Sequence, residues 1–233
     1  DLAIQPAAAV GVLGLSFCTV IACATPAALR DLTGRVRWAF PAIGAAMIAT
    51  LFAYGAIRLP VGEVATVPGI MLRVVQPNVP QHLKWQRELR DRHIAALLHL
   101  SRQPATRPVT HLIWPETAVP FVPSTDVTRR AAIASVVPEG GLLLTGAIRT
   151  TMQGVRPFRI WNSLHAIDRA GRIVATYDKF HLVPFGEYMP LGDLLGLRKL
   201  TAGRTDFSAG PGPRTLNLPG LPAFSPLICY EII

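Results

Sequence analysis

The distribution of apolar and charged positions divides the chain near residue 60. Residues 2–29 and residues 38–57 carry no charged side chain. At about 1.5 Å of helical rise per residue, the second stretch makes a helix about 30 Å long, the thickness of a bilayer's hydrocarbon core. Two such runs back to back predict a pair of transmembrane helices over residues 1–60; the alternative is a pair of buried helices in a soluble protein. Between them lies Arg30-Asp-Leu-Thr-Gly-Arg-Val-Arg37, and short basic loops stay on the cytoplasmic side. That places everything beyond residue 60 outside the cytoplasm. In a bacterium the expectation is an inner-membrane, multi-pass protein whose residues 61–233 form a periplasmic domain.

Beyond a Pro/Gly-rich linker at residues 60–70, short apolar runs alternate with amphipathic ones. Ile70–Gln76 reads as a buried strand. Residues 83–101 read as a helix, with Leu89, Ala96, Leu97 and Leu100 on one face and Arg87, Arg90, Asp91 and Arg92 elsewhere. His111–Trp114 is a short strand stopped by Pro115, and residues 126–137 form a helix stopped by Pro138. Leu142–Ala147 is a further strand. Ile160–Asp168 and Arg172–Asp178 flank the hairpin signal Ala170-Gly171. Residues 180–213 read as a long loop, and Pro226–Cys229 as the last strand. Strands alternating with helices, plus one hairpin, predict a mixed α/β layered domain.

Composition adds three constraints. Only 16% of residues are charged, against about 25% in soluble domains, and the deficit is confined to the two apolar runs. The net charge of +9 suits an anionic lipid surface. No dense Lys/Arg cluster with interleaved aromatics occurs, so nucleic acid is not an expected partner. Of three cysteines, Cys18 and Cys23 lie in the first apolar run and only Cys229 lies beyond it, so no disulfide framework is expected. No cofactor and no metal is called for. The chain opens on Asp1 with no basic segment before its apolar run, which does not read as a signal peptide.

Three polar residues follow apolar strands: Glu116 after Leu112-Ile-Trp-Pro115, Lys179 after Ala175-Thr-Tyr-Asp178, and Cys229 after Pro226-Leu-Ile228. Sites in α/β sheets gather beyond the carboxyl ends of strands, so the three could share a pocket. A free thiol is mostly protonated at neutral pH. A carboxylate can take its proton, and a lysine ammonium can stabilise the oxyanion that forms when the thiolate attacks a carbonyl. Glu116, Lys179 and Cys229 thus supply base, electrophile and nucleophile for acyl transfer. The plainer readings are a solvated glutamate, a surface lysine and a buried core thiol.

The segments Leu112-Ile-Trp-Pro-Glu116, Tyr177-Asp-Lys-Phe-His-Leu-Val-Pro-Phe-Gly-Glu-Tyr188 and Ile228-Cys-Tyr-Glu231 resemble the three signature blocks of the carbon–nitrogen hydrolase (nitrilase) superfamily. Val75-Gln76, Val79-Pro-Gln and Leu83-Lys-Trp85 extend the resemblance toward its bacterial membrane-bound branch, the acyltransferases of lipoprotein maturation. Pro77 departs from the Gly expected after Val-Gln. The resemblance implies an αββα sandwich preceded by membrane helices. It implies that Cys229 takes an acyl chain from a phospholipid as a thioester and passes it to the amine of an apolipoprotein's S-diacylglyceryl cysteine. Glu116 would be the base and Lys179 the oxyanion partner. Glu187 would be a second acidic residue near the nucleophile, and Trp85, Tyr230 and Glu231 would shape the site. An amidase acting on a small substrate is the alternative within the superfamily, and a non-catalytic membrane scaffold the alternative outside it. Further strands and a further helix are expected after the cysteine, so the chain is expected to be part of a longer protein. Phe185, Met189, Leu191, Leu194, Leu195 and Leu197 make the long loop unusually apolar, and part of it is expected to dip into the outer leaflet.

Overall fold

In the computed structural model, residues 2–59, 62, 65–190 and 206–232 are described. The chain divides into two compact units between Thr66 and Val67.

The first unit is built on two long helices, α1 (Ala7–Ala24) and α3 (Ala39–Arg58), joined through the short helix α2 (Ala28–Asp31). The pair is antiparallel. Gly44, near the start of α3, lies against Ala22 and Thr25 at the end of α1, while Arg58 at the other end of α3 donates to Gln5 (3.1 Å). A Cβ at Gly44 would collide with the Thr25 hydroxyl and the Ala22 carbonyl, so glycine is what lets the backbones approach. The spans Ala7–Asp31 and Val36–Arg58 are long and apolar enough to cross a bilayer, yet only 6% and 11% of their most apolar windows are buried. Leu13, Phe17, Val20, Ile43 and Ile57 all face outward. A helix of a soluble core buries such side chains. These two mark the unit as membrane-associated.

The second unit contains a five-stranded sheet of β1 (Leu72–Val74), β2 (His111–Ile113), β3 (Leu143–Thr150), β4 (Ile160–Ile167) and β5 (Ile173–Asp178), in that spatial order. β1, β2 and β3 are parallel; β4 and β5 run antiparallel to their neighbours. The parallel strands need crossover connections, supplied by α4 (Arg90–Ser101) and α5 (Val127–Ala134). Asp126 caps α5 by accepting from the Arg129 amide (2.9 Å). Ile94, Leu97, Ile133, Ala134 and Val137 pack against Leu112, Leu143, Ala147 and Ile167 on one face of the sheet. On the other face Leu142, Leu144, Ala166 and Tyr177 pack against Leu216, Leu218 and Ile228.

The expected mixed α/β domain and its strands are therefore present, with one correction. Pro226–Cys229 is not a strand: Cys229–Ile232 is a turn of 3-10 helix. The Ile228 amide, which a strand would pair with a neighbour, is taken by the Glu231 carboxylate (2.8 Å), and the Glu231 amide turns back to the Ile228 carbonyl (3.3 Å). A backbone satisfied within four residues has nothing left for a sheet. The helix expected over residues 83–101 begins only at Arg90, after a single 3-10 turn at Arg87–Leu89.

Leu143 is fully buried, whereas Val174 on the last strand is 43% exposed. Leu143→Ala is expected to cost about 2–5 kcal/mol, and Val174→Ala less than about 0.5 kcal/mol. Denaturant midpoints of the two variants check this ordering.

Candidate active site

Lys179 follows β5, and its backbone is pinned on both sides: its amide donates to the Asn162 carbonyl (2.9 Å), and its own carbonyl accepts from Gly210 (2.8 Å). Its side chain has no exposed surface. An ammonium in that position must be paired. Glu187 supplies the partner at 2.7 Å through Oε2, and the same oxygen accepts from the Val183 amide (3.0 Å). The glutamate is presented by a tight turn in which its amide donates to the Val183 carbonyl (2.8 Å) and Phe185 bonds Tyr188 (2.8 Å).

Glu116 follows β2 beyond Pro115. Its turn rests on β3, where the Gly146 amide donates to the Pro115 carbonyl (3.2 Å) and Ala118 donates to the Gly146 carbonyl (2.9 Å). A Cβ at Gly146 would lie 2.5 Å from the Thr117 nitrogen and 2.6 Å from the Glu116 Cα, so only glycine admits this approach. The Glu116 side chain does not touch Lys179. Asn162, the third residue of β4, joins them: its Nδ2 donates to Glu116 Oε1 (2.6 Å) and to Glu187 Oε1 (3.2 Å). Glu116, Asn162, Glu187 and Lys179 form one connected network.

A cavity of about 170 Å³ adjoins Glu116, lined also by Gln76, Asn78, Lys84 and His93. Lys84 Nζ donates to the Glu116 carbonyl (3.0 Å). Burial pushes the Lys84 ammonium below its usual range, against the attraction of Glu116.

Cys229 is exposed and, among the described residues, has no hydrogen-bond partner. Its φ of 57° lies in the left-handed region, which costs a non-glycine residue free energy. Four non-glycine residues share that conformation among the described ones, and they cluster at this end of the sheet. Asn78 lines the cavity, Thr117 follows Glu116, Phe185 precedes Glu187 by two, and the fourth is Cys229. The cysteine is held by its neighbours. Ile228 is buried against Tyr177 and Leu144. Glu231 accepts from the Tyr177 hydroxyl (2.8 Å), from the amides of Phe180 (2.8 Å) and His181 (3.2 Å), and from Ile228. Phe180 and His181 directly follow Lys179, so one carboxylate ties the cysteine turn to the segment that leaves the buried lysine. Burial opposes the Glu231 charge, but the bonds from Ile228, Tyr177, Phe180 and His181 outweigh it and hold the carboxyl below the usual range. Burial and this bond push the Tyr177 hydroxyl up to about 12.

The expected site residues thus separate into groups. Glu116, Lys179 and Glu187 are joined; Cys229 is tethered beside them through Glu231. Tyr230 is exposed and has no hydrogen-bond partner among the described residues, and Trp85 lines another groove with Arg90, Phe121 and Ile148. Leu191, Leu194, Leu195 and Leu197 lie outside the described residues. Nothing in the pattern singled out Asn162, although an amide inside an apolar strand is itself a signal, because a buried polar group needs partners.

No family model matches the chain. Curated relatives do. A protein named apolipoprotein N-acyltransferase in Bradyrhizobium diazoefficiens is 39% identical over 98% of this chain, and one of the same name in Rhodopseudomonas palustris is 38% identical over 98%. The chain covers 45% of each, so it spans about half the length of the curated relatives it matches. Among solved structures, a carbon-nitrogen hydrolase from Helicobacter pylori G27 is similar over 48% of this chain and 40% of its own, at 17% identity and a TM-score of 0.36. That likeness is partial.

Because the Glu231 carboxyl is held low, its tether is complete above the ordinary carboxylate range and is lost as pH falls through the lowered value. Glu231→Gln weakens all four bonds at any pH. The protection of the Phe180, His181 and Ile228 amides from hydrogen exchange, relative to the intrinsic rate at each pH, is expected to fall in this variant and, in the parent, on acidification; Tyr230→Phe should leave it unchanged.

Proposed function

We propose that this chain carries the acyl-transfer site of an apolipoprotein N-acyltransferase, with Cys229 as nucleophile. The observation that carries the reading is the network that joins Glu116 to the buried Lys179–Glu187 pair, with the strained Cys229 turn anchored to the residues after that lysine. The curated relatives support the same reaction. Glu116 Oε2 makes no hydrogen bond among the described residues, which suits a group that must accept a proton.

In the first half-reaction Glu116 takes the thiol proton of Cys229, and the thiolate attacks an ester carbonyl of a phospholipid. Lys179, with one N–H committed to Glu187, has donors left for the oxyanion. The ester C–O bond breaks, the leaving alkoxide takes the proton back from Glu116, and a lysophospholipid departs from the Cys229 thioester. In the second, the free amine of the S-diacylglyceryl cysteine attacks the thioester and gives a proton to Glu116. The C–S bond breaks, an amide forms, and the proton returns to the thiolate. Glu187 neutralises Lys179 in the resting site, Glu231 holds the nucleophile's turn, and Tyr230 and Trp85 offer exposed aromatic surface for substrate.

The two apolar helices favour this reading over an amidase for small soluble amides, because their outward apolar faces need a bilayer and the donor is a bilayer component. With the Arg30–Arg37 loop in the cytoplasm, the helices span the inner membrane and the sheet domain lies in the periplasm. Phe185, exposed on the turn that carries Glu187, would then reach toward the outer leaflet.

Full-length protein mixed with phosphatidylethanolamine vesicles is expected to gain one acyl chain at Cys229, seen by intact-protein mass spectrometry. Cys229→Ala should abolish the adduct, and Glu116→Gln should slow it by about 100-fold or more. An enzyme that N-acylates a lipoprotein while Cys229 stays unmodified, or that prefers small amides, would sink the reading.

A further inference from the structure

Asn162 is 3% exposed, and its Oδ1 is buried without a partner among the described residues. An amide in that position loses free energy on one side. What it gains on the other is two carboxylates: both donor contacts of Nδ2 go to Glu116 and Glu187. The arrangement is not symmetric with respect to protons. A carboxylate accepts from an amide N–H, whereas the amide's carbonyl would face those carboxyls favourably only if they were protonated. The orphaned Oδ1 is thus the counterpart of holding the donors toward ionised carboxylates.

The groups facing Glu116 come from several elements. Lys84 binds its carbonyl from the segment before α4, and His93 of α4 lines the adjoining cavity. Lys179, after β5, and Glu187 lie on the far side of Asn162. Lys179 is committed to Glu187 and makes no ion pair with Glu116 among the described residues. Among the described residues the Glu116 side chain makes one hydrogen bond, the 2.6 Å contact from Asn162.

We infer that Asn162 is a positioning residue of the acyl-transfer site, one that holds the Glu116 carboxylate by Oε1 and couples it to the Lys179–Glu187 pair. The inference rests on the acyl-transfer reading above. Asn162 touches no reacting atom; it acts through Glu116, whose Oε1 it occupies while leaving Oε2 for the thiol proton. It also fixes the distance between base and ammonium, since a side chain bonded to both carboxylates cannot let either swing away alone.

Single-turnover thioester formation at Cys229, followed by mass spectrometry in the full-length protein with phosphatidylethanolamine vesicles, tests this. Asn162→Leu keeps the size and removes the donor without adding a charge, and is made alone and together with Glu116→Gln; Asn162→Ser keeps one donor in a smaller side chain and serves if the leucine does not fold. The leucine is expected to slow the parent about tenfold and to add little to Glu116→Gln, in which the base is already lost. The serine should fall between it and the parent. The lipid concentration for half-maximal rate should stay unchanged in both. A folded Asn162 variant that slows the Glu116→Gln protein as much as it slows the parent would overturn the inference, because a merely structural amide lowers the rate whether or not the base is present. A parent that forms no thioester would overturn the acyl-transfer reading instead, so the two failures are distinguishable.

Discussion

The pairing of Lys179 with Glu187 is the constraint on which the site depends. An ammonium with no exposed side-chain surface cannot exist there uncompensated, and stranding one member of a buried ion pair costs about 3–5 kcal/mol. The requirement fixes the position of the turn at residues 183–188, because that turn must deliver a carboxylate to a lysine fixed by the end of β5. It also constrains Asn162, which lies between this pair and a second carboxylate. The network is thus assembled from two strand ends, one residue within β4 and one loop, the strand residues held by backbone hydrogen bonds to the sheet and the loop by its own turn. A site built on such rigid elements holds its geometry before any substrate arrives.

A second carboxylate, Glu231, has a different task. It takes no part in the buried network and instead collects four donors around the turn that carries Cys229. Strain at Cys229 is stored by that tether together with the burial of Ile228. Without them, a residue with a φ of 57° would relax, and the thiol would lose its fixed place beside Lys179's successors in the chain.

Much of this was legible in the residue pattern. The apolar runs, the alternation of strands and helices, and the polar residues placed just after strands are local signals, and Glu116 and Lys179 are found where those signals put them. Cys229 was expected at the end of a strand because Pro226-Leu-Ile228 is apolar. It lies on a turn because a carboxylate two residues later captures the Ile228 amide, a competition that periodicity does not register. Asn162 was invisible for a related reason: its importance comes from which two carboxylates converge on it, and both are remote in sequence. Trp85 precedes α4 rather than lying within it, so its side chain serves a groove beside Phe121 and not the network.

In the proposed site an acyl group on Cys229 has its carbonyl oxygen at Lys179. A structure of the full-length protein trapped with an acyl thioester measures this directly. The expected result is the acyl chain on Cys229 Sγ, with the thioester oxygen within about 3 Å of Lys179 Nζ and Glu116 still bonded to Asn162. An acyl chain on another residue, or a thioester oxygen turned to solvent with Lys179 still enclosed by Glu187, would contradict it.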